Sequence, residues 1–357
     1  MDFRKILNYS RISFLRNGAL GLLNLFHTFF SLKFEPARVY SKITSIIVEP
    51  TIRCNLDCIT CSKDIRSRTE KDMTFSEFKK IVDQFPYLIK IAIQGVGEPT
   101  LNKDLVKMIS YVKKKGIYVY LNTNGTLLTP SLSKRLISSG LDLIRLSMDG
   151  GTPEIYEKIR RGGSFRKFCQ NVKEFMKIKG ENSIPEVWTW LVLNRFNVND
   201  LKNAVEMTSK LNIRKMVIQK MHTWGKGREF AEMVDVGKDY VDLNIVKVQI
   251  DDFAKEEGID VTWLSSNVWV GKGDEDLRLR RCQEPWYTTY ITVEGLVTPC
   301  CVQGTDPRVI NFGNIFRGNF NKIWNNQEYR EFRKSLKSEA PPKICVNCPG
   351  YSQGVLK

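Results

Sequence analysis

Histidine is nearly absent. The 357 residues include only His27 and His222, which excludes a metal centre built on several imidazoles. Acidic charge is also scarce: 39 Asp and Glu stand against 55 Lys and Arg, a formal charge of +16. Such a chain suits anionic partners (nucleotide, phosphorylated substrate, acidic protein donor, nucleic acid, lipid headgroups), or else spreads its cations over a solvated surface. No hydrophobic run reaches membrane-crossing length. The uncharged apolar stretch Asn17 to Leu32 has 16 residues, short of the roughly 20 such a helix needs. No small-residue cleavage site follows it, so the expectation is a cytoplasmic protein. Internal repeats and low-complexity tracts are lacking too. With 42% apolar and 26% charged residues, a collagen, a disordered chain and a polytopic membrane protein are excluded. The length allows about two domains.

Residues 1–42 form a basic, apolar extension. Leu22, Phe26, Phe29 and Phe30 recur at helical spacing, flanked by Arg4, Lys5, Arg11, Arg16, Lys33, Arg38 and Lys42. One reading is an interfacial helix in peripheral contact with an anionic membrane. The other, preferred here, is a helix packed on the body of the protein, with His27 as a packed polar residue.

From residue 43 short β-branched runs alternate with amphipathic helical runs. Strands are expected at 43–48, 89–93, 118–122, 143–147, 187–193 and 215–219, with helices near 75–84, 103–114, 130–139, 165–178 and 198–211. This alternation predicts an α/β fold, a partial (β/α)6 barrel resembling the TIM barrel, over residues 43–235. Its reactive groups belong on loops at the carboxyl ends of the strands. Residues 236–357 read as a smaller, loop-rich α+β module. It has helices near 240–255 and 320–336 and a hairpin turning at Glu294-Gly295.

The motifs fall on one rim of that frame. CNLDCITC follows the first strand, GVGEP (Gly95 to Pro99) the second, NTNG from Asn122 the third and SMDGG from Ser147 the fourth. Nine cysteines are present: Cys54, Cys58, Cys61, Cys169, Cys282, Cys300, Cys301, Cys345 and Cys348. Clustered cysteines in an expected cytoplasmic chain point to metal rather than disulfides. Cys-x3-Cys-x2-Cys offers three soft thiolates with no histidine beside them. A closed zinc site wants four ligands; three suit a [4Fe–4S] cluster with one iron open.

CNLDCITC followed by GVGEP resembles the radical S-adenosylmethionine (SAM) enzymes. In that family the open iron chelates SAM, and the reduced cluster cleaves it to a 5′-deoxyadenosyl radical that abstracts hydrogen from substrate. The resemblance implies that Cys54, Cys58 and Cys61 hold the cluster. It places Gly95, Gly97 and Glu98 along the methionine amino group, and Ser147 and Asp149 toward the ribose, with Asn122 on the same rim. Arg160 or Arg161 would pair the SAM carboxylate, and Val192 and Asn194 would lie near the adenine. Thr60 departs from the pattern, because the residue before the third cysteine is usually aromatic there. A low-potential flavodoxin- or ferredoxin-type electron donor is also implied.

Cys282, the hairpin cysteine Cys300, Cys345 and Cys348 resemble the auxiliary-cluster module called twitch, the shortened form of SPASM. The resemblance implies a second, fully ligated [4Fe–4S] cluster; a tetrahedral zinc site is the alternative. Cys301 would replace Cys300 or stay a thiol, and Cys169 reads as a buried apolar residue.

Substrate signals are weaker. Lys220, His222, Trp224, Lys226, Arg228, Arg278, Arg280 and Arg281 are pocket or anion-binding candidates. Trp188 and Trp190 share one strand face and are expected to pack in the core. The leading expectation is a radical SAM oxidoreductase acting on a small or lipid-linked polyol or sugar. A maturase of a ribosomally made peptide is the alternative. Residues 1–42 are too short for the leader-binding domain such enzymes often carry. A non-catalytic iron–sulfur electron carrier is the third reading. No RNA-binding module is visible.

Overall fold

A computed structural model describes residues 3–61, 69–221, 242–264, 282–302, 304–338, 340–345 and 348. The strands are β1 (Ser45–Val48), β2 (Lys90–Ile93), β3 (Tyr118–Thr123), β4 (Leu143–Ser147), β5 (Glu186–Leu193), β6 (Lys215–Lys220), β7 (Asp260–Leu264), β8 (Tyr290–Ile291) and β9 (Val297–Thr298). Their order is β7-β6-β5-β4-β3-β2-β1-β8-β9, an open sequence of neighbours with β7 and β9 at its ends. The six expected strands are all present in a mostly parallel α/β sheet. The helices are α1 (Phe3–Phe34), α2 (Phe75–Val82), α3 (Leu105–Lys114), α4 (Pro130–Ser138), α5 (Pro153–Ile159), α6 (Phe165–Lys179), α7 (Leu201–Lys210), α8 (Leu243–Glu256), α9 (Glu284–Tyr287), α10 (Phe320–Ile323) and α11 (Gln327–Ser335).

The chain divides into two compact units that interleave along the sequence. One comprises residues 1–53, 65–120 and 281–346; the other comprises 54–64, 121–280 and 347–357. In the first unit β1 pairs β2 in parallel, Ser45 opposite Lys90. β8 pairs the other edge of β1, also in parallel, with Ile47 opposite Tyr290. The hairpin β8–β9 turns at Gly295, whose φ is +82°. A Cβ there would stand 2.3 Å from the Phe316 ring, so the turn needs glycine for space as well as for conformation. Thr74 and Glu77 close a reciprocal capping box at the start of α2. Phe78, Ile81, Met108 and Val112 are buried along α2 and α3.

In the second unit β4 to β7 run parallel, with Leu143 opposite Glu186, Trp188 opposite Lys215 and Lys215 opposite Asp260. Helices cover one face of this sheet. There the Thr189 and Thr208 hydroxyls, on β5 and α7, meet at 3.0 Å. Val187, Thr189, Leu191 and Leu193 are buried toward that side. The alternate residues Trp188, Trp190 and Val192 are only half-buried on the other.

Three elements differ from expectation. β7 is a half-exposed edge strand, so it lacks the buried run that marks the other strands. α5 has seven residues, too few to show a helical period. The helix expected at 320–336 is two helices, because Asn326 stops the first and caps the second by accepting from the Tyr329 N–H at 2.9 Å.

α1 does pack on the body of the first unit, but by its polar side. The chain breaks its helical path at Gly18 (φ 56°). Beyond the break Gly21, Asn24, Thr28 and Ser31 face inward, while His27 is exposed rather than packed. The Asn24 amide donates to the Lys42 carbonyl at 3.0 Å and accepts from the Lys42 N–H at 2.7 Å. Gln283 reaches the Leu32 carbonyl at 2.8 Å. Among the described residues no helix is long and apolar enough to cross a membrane.

Candidate functional site

The cysteine loop, in the second unit, is fastened by its backbone and by one asparagine. The Asp57 N–H donates to the Arg161 carbonyl at 2.8 Å and the Ile59 N–H to the Ile159 carbonyl at 2.9 Å. The Asn55 amide donates to Thr126 Oγ1 at 2.9 Å and accepts from the Asn124 amide at 3.0 Å. Leu56 is buried under the loop. With the backbone held, Cys54, Cys58 and Cys61 stay half-buried. The Leu56 N–H points at Cys54 Sγ, 3.5 Å away. Burial pushes the Cys58 thiol up to about 11; Arg160 pulls it down, and Cys61, Asp149 and Cys54 add to the rise. Among the described residues no three His, Cys, Asp or Glu side chains converge on a point for one metal ion.

Asp149 and Arg160 form the charged floor of this unit. Arg160 Nη2 lies 2.8 Å from Asp149 Oδ2, and both side chains are almost fully buried. Burial works against the Arg160 charge, but Asp149 and Cys58 outweigh it and hold the guanidinium firmly cationic. The other Asp149 oxygen accepts the Val192 N–H at 2.8 Å, so this carboxylate ties the end of β4 to β5. Asn194 is buried and donates to the Val192 carbonyl at 3.0 Å. Asn197 donates to the Asp149 and Val192 carbonyls at 2.9 and 3.0 Å. Arg161 is exposed, Ser147 half-buried. Asn122 Oδ1, Tyr156 OH and Arg160 Nε are buried polar atoms with no hydrogen-bond partner among the described residues. Each such atom costs about 1–3 kcal/mol unless something else satisfies it.

On the half-buried sheet face Arg145 lies between two indoles. Its guanidinium is 5.5 Å from the Trp188 ring and 4.6 Å from Trp190, and Trp190 donates to Gln219 at 3.1 Å. The core packing expected of the two tryptophans is therefore corrected. They line the face opposite the helices, because strand alternation gives the buried side to Thr189 and Leu191.

The GVGEP loop belongs to the first unit, and Glu49 organises it. Glu49 is fully buried at the end of β1. Its carboxylate accepts from Tyr290 OH at 2.9 Å, Val96 N–H at 3.2 Å and Val293 N–H at 3.1 Å. A Cβ on Gly95 would stand 2.4 Å from Glu49 Cγ, and one on Gly97 2.4 Å from the Thr51 carbonyl. Both glycines thus have a packing reason to be glycine. Glu98 is buried; its Oε1 accepts from Thr100 N–H at 3.1 Å and Thr100 OH at 2.6 Å, starting the short turn Pro99–Leu101. Just before Cys54, Arg53 pairs with Asp72. Burial raises the Asp72 pKa, but hydrogen bonds from Arg53 and Thr51 more than reverse this and hold it below the usual carboxylate range.

The half-buried Cys282, Cys300 and Cys301 and the buried Cys345 lie in the first unit, and the buried Cys348 lies in the second. Burial pushes the Tyr287 hydroxyl pKa well up, with Glu284, Cys282 and Cys301 adding to it. Burial likewise pushes the Tyr329 hydroxyl up to about 12, with a smaller addition from Cys300. Arg333 is the buried staple of this module. It donates to the Pro285 and Trp324 carbonyls at 2.9 and 2.8 Å and stacks 4.1 Å from the Trp324 ring. Burial lowers its pKa to about 10, which leaves it cationic at neutral pH.

Comparison with known proteins agrees with this geometry. Residues 48–208 match the model of the radical SAM superfamily, and residues 282–349 match SPASM, an iron–sulfur cluster-binding domain. The chain belongs to the radical SAM superfamily. It is 26% identical to a tungsten-containing aldehyde ferredoxin oxidoreductase cofactor-modifying protein of Pyrococcus furiosus, over 85% of this chain and 86% of that protein. It is 25% identical to a PqqA peptide cyclase of Rhizobium meliloti, over 88% of this chain and 82% of that protein. SuiB of Streptococcus suis, solved with its precursor peptide, shares the fold. The TM-score is 0.65 at 16% identity, covering 94% of this chain and 76% of SuiB.

As a radical SAM protein with a SPASM domain, the chain takes SAM and [4Fe–4S] clusters as cofactors. Its residues suit them. The Cys54–Cys61 loop presents three thiols on a pinned backbone, with an N–H already aimed at one sulfur. Asn122 Oδ1 and Arg160 Nε are buried polar atoms that a polar ligand would satisfy. Glu49, Asn55 and Asn197 are the participants that sequence reading passed over. Glu49 had one signal, an acid closing the apolar run SIIV; the asparagines had none. His222, Trp224, Lys226, Arg228, Arg278, Arg280 and Arg281 lie outside the described residues, and Lys220 is half-buried at the end of β6.

Proposed function

We propose that this radical SAM enzyme modifies a peptide. The observation that carries the reading is joint. Both modules occur in order in one chain, and the likeness to the PqqA peptide cyclase spans both. SuiB, similar in fold, was solved with a precursor peptide. These relatives favour a peptide over the polyol or sugar that the sequence suggested first.

Cys54, Cys58 and Cys61 would hold the SAM-binding cluster, and Cys282, Cys300, Cys345 and Cys348 the auxiliary one. When bound and reduced, the first cluster supplies the electron that cleaves SAM and starts hydrogen abstraction. The remaining work falls to the protein. Asp149, held by Arg160 and the Val192 N–H, fixes the ends of β4 and β5 against each other. Asn122 and Arg160 would offer an acceptor and a donor to SAM; Ser147, Arg161 and Asn194, and by the family resemblance Gly95, Gly97 and Glu98, would also serve it. The Arg145, Trp188 and Trp190 face offers a cation and two indole edges to a chain rich in carbonyls and side-chain carboxylates.

Deuterium transfer tests the reading. Protein reconstituted without oxygen receives dithionite, SAM and deuterated candidate substrates. Deuterium moving from a peptide into 5′-deoxyadenosine, with a mass change in that peptide, is expected. Transfer from polyols alone would overturn the peptide reading. A Cys58→Ala variant that still forms 5′-deoxyadenosine would sink the cluster assignment.

A further inference from the structure

α1 is amphipathic the wrong way round for a helix docked on a protein. The hydrophobic effect ordinarily turns the apolar stripe inward. Here Gly21, Asn24, Thr28 and Ser31 face the body, and Leu22, Leu23, Phe26, Phe29, Phe30 and Phe34 are exposed, Phe26 by 57%. The docking is specific. Asn24 exchanges two hydrogen bonds with Lys42, Ser31 Oγ meets Ser41 Oγ at 3.3 Å, and Gln283 holds the Leu32 carbonyl. The outward face is thus not a helix awaiting a half-turn onto the core, because rotation would break every one of these bonds. Six large apolar side chains exposed along one helix mark an interaction surface.

Charge selects the occupant. Residues 3–42 carry seven basic residues (Arg4, Lys5, Arg11, Arg16, Lys33, Arg38, Lys42) and one acidic, Glu35. Arg16 is half-buried with its Nη1 out of solvent, while Lys33, Arg38 and Lys42 are exposed. Lys33 lies 5.6 Å from the Phe34 ring and Arg38 5.7 Å from the Tyr40 ring, so cations border the aromatic face. Tyr40 itself is 74% exposed. Aromatic rings rimmed by Lys and Arg are what an anionic lipid surface takes up: rings at the acyl boundary, cations among the headgroups. A second copy would set cation against cation. No described helix is long and apolar enough to cross a bilayer, so α1 would lie on the surface rather than span it. We infer that α1 is a monotopic anchor that seats this enzyme on an anionic lipid surface through Leu22, Phe26, Phe29 and Phe30.

Co-sedimentation of the full chain with vesicles tests this, independently of any substrate. The protein should sediment with phosphatidylcholine vesicles containing phosphatidylglycerol. It should bind pure phosphatidylcholine about tenfold more weakly or worse. Raising salt from about 0.1 M to about 1 M, which shortens the screening length from about 10 Å to about 3 Å, should weaken binding to the anionic vesicles. The double variant Phe26→Ser/Phe30→Ser should stay in the supernatant while keeping its melting temperature and its SAM cleavage. Wild-type protein that ignores anionic vesicles overturns the inference without any variant. So does a double variant that binds them as well as wild type. Wild-type dimers that the double variant abolishes, with no vesicle binding, would assign the face to a second copy instead.

Discussion

Asp149 shows how much one residue can carry without touching the chemistry. Its carboxylate holds Arg160 at 2.8 Å and the Val192 N–H at 2.8 Å, and its own carbonyl accepts from Asn197. A resemblance read along the chain places Asp149 toward a ribose; the structure also makes it the joint between two strands and a buried cation. Breaking such a pair leaves the partner charge buried and unpaired, at a cost of about 3–5 kcal/mol. Asp149→Ala should therefore lower the thermal midpoint of the cluster-free protein as well as SAM affinity. Calorimetry and SAM titration read the two effects separately. A variant with normal stability would limit Asp149 to ligand binding. The glycines teach a related lesson, since Gly95 and Gly97 answer to Glu49 and to the Thr51 carbonyl before any ligand is considered.

At the scale of elements, α2 is held at both ends. Thr74 and Glu77 close its start. Asp83, at its end, binds Lys79 at 2.7 Å, Lys115 at 3.0 Å and the Tyr111 hydroxyl. Burial acts to raise the Asp83 pKa, but the hydrogen bonds from Lys79, Tyr111 and Lys115 bring it down to about 2. The unfolded value is about 3.9. A carboxylate with a depressed folded pKa stabilises fully above its unfolded pKa and loses that stabilisation as pH falls through the folded one. Acid unfolding of the wild type should therefore steepen between about pH 4 and pH 2. Asp83→Asn should flatten that window and lower the neutral-pH midpoint by what the wild type loses across it, a modest amount for a partly exposed network, while leaving stability near pH 2 unchanged. Denaturant melts at several pH values check the difference. β8 carries a second point at this scale. Two residues of a C-terminal hairpin extend the sheet through β1, and Tyr290 and Val293 both donate to Glu49. The auxiliary segment and the GVGEP loop therefore share one buried carboxylate.

For the whole molecule the decisive number is iron. Two clusters mean about eight irons per chain after reconstitution without oxygen. Cys345→Ala should remove about four and leave SAM cleavage partly intact. Unchanged iron content would return the C-terminal thiols to a zinc site or to no metal. The Cys54–Cys61 loop is fastened to Asn124, Thr126 and Arg161, and none of these contacts is made by Cys345.

The sequence alone determined the alternating strands and helices, the cysteine spacings, the GVGEP loop and hence the family. These are local signals: a period, a spacing, a glycine beside an acid. The buried strands were legible because short β-branched or apolar runs such as SIIV and LIRLS recur in alternation with amphipathic helical runs. β7 and α5 were not, since an exposed edge strand and a seven-residue helix bury too little to leave a pattern. Only the tertiary structure decided which side of α1 faces the body. Helical spacing marks two faces, but the hydrogen bonds of Asn24, Ser31 and Leu32 to residues 41, 42 and 283 choose between them. The roles of Glu49, Asn55 and Asn197 were likewise decided in space. Glu49 and Asn55 act through partners tens or hundreds of residues away, and Asn197 joins the nearby Val192 to the distant Asp149; no local pattern encodes such distant partners.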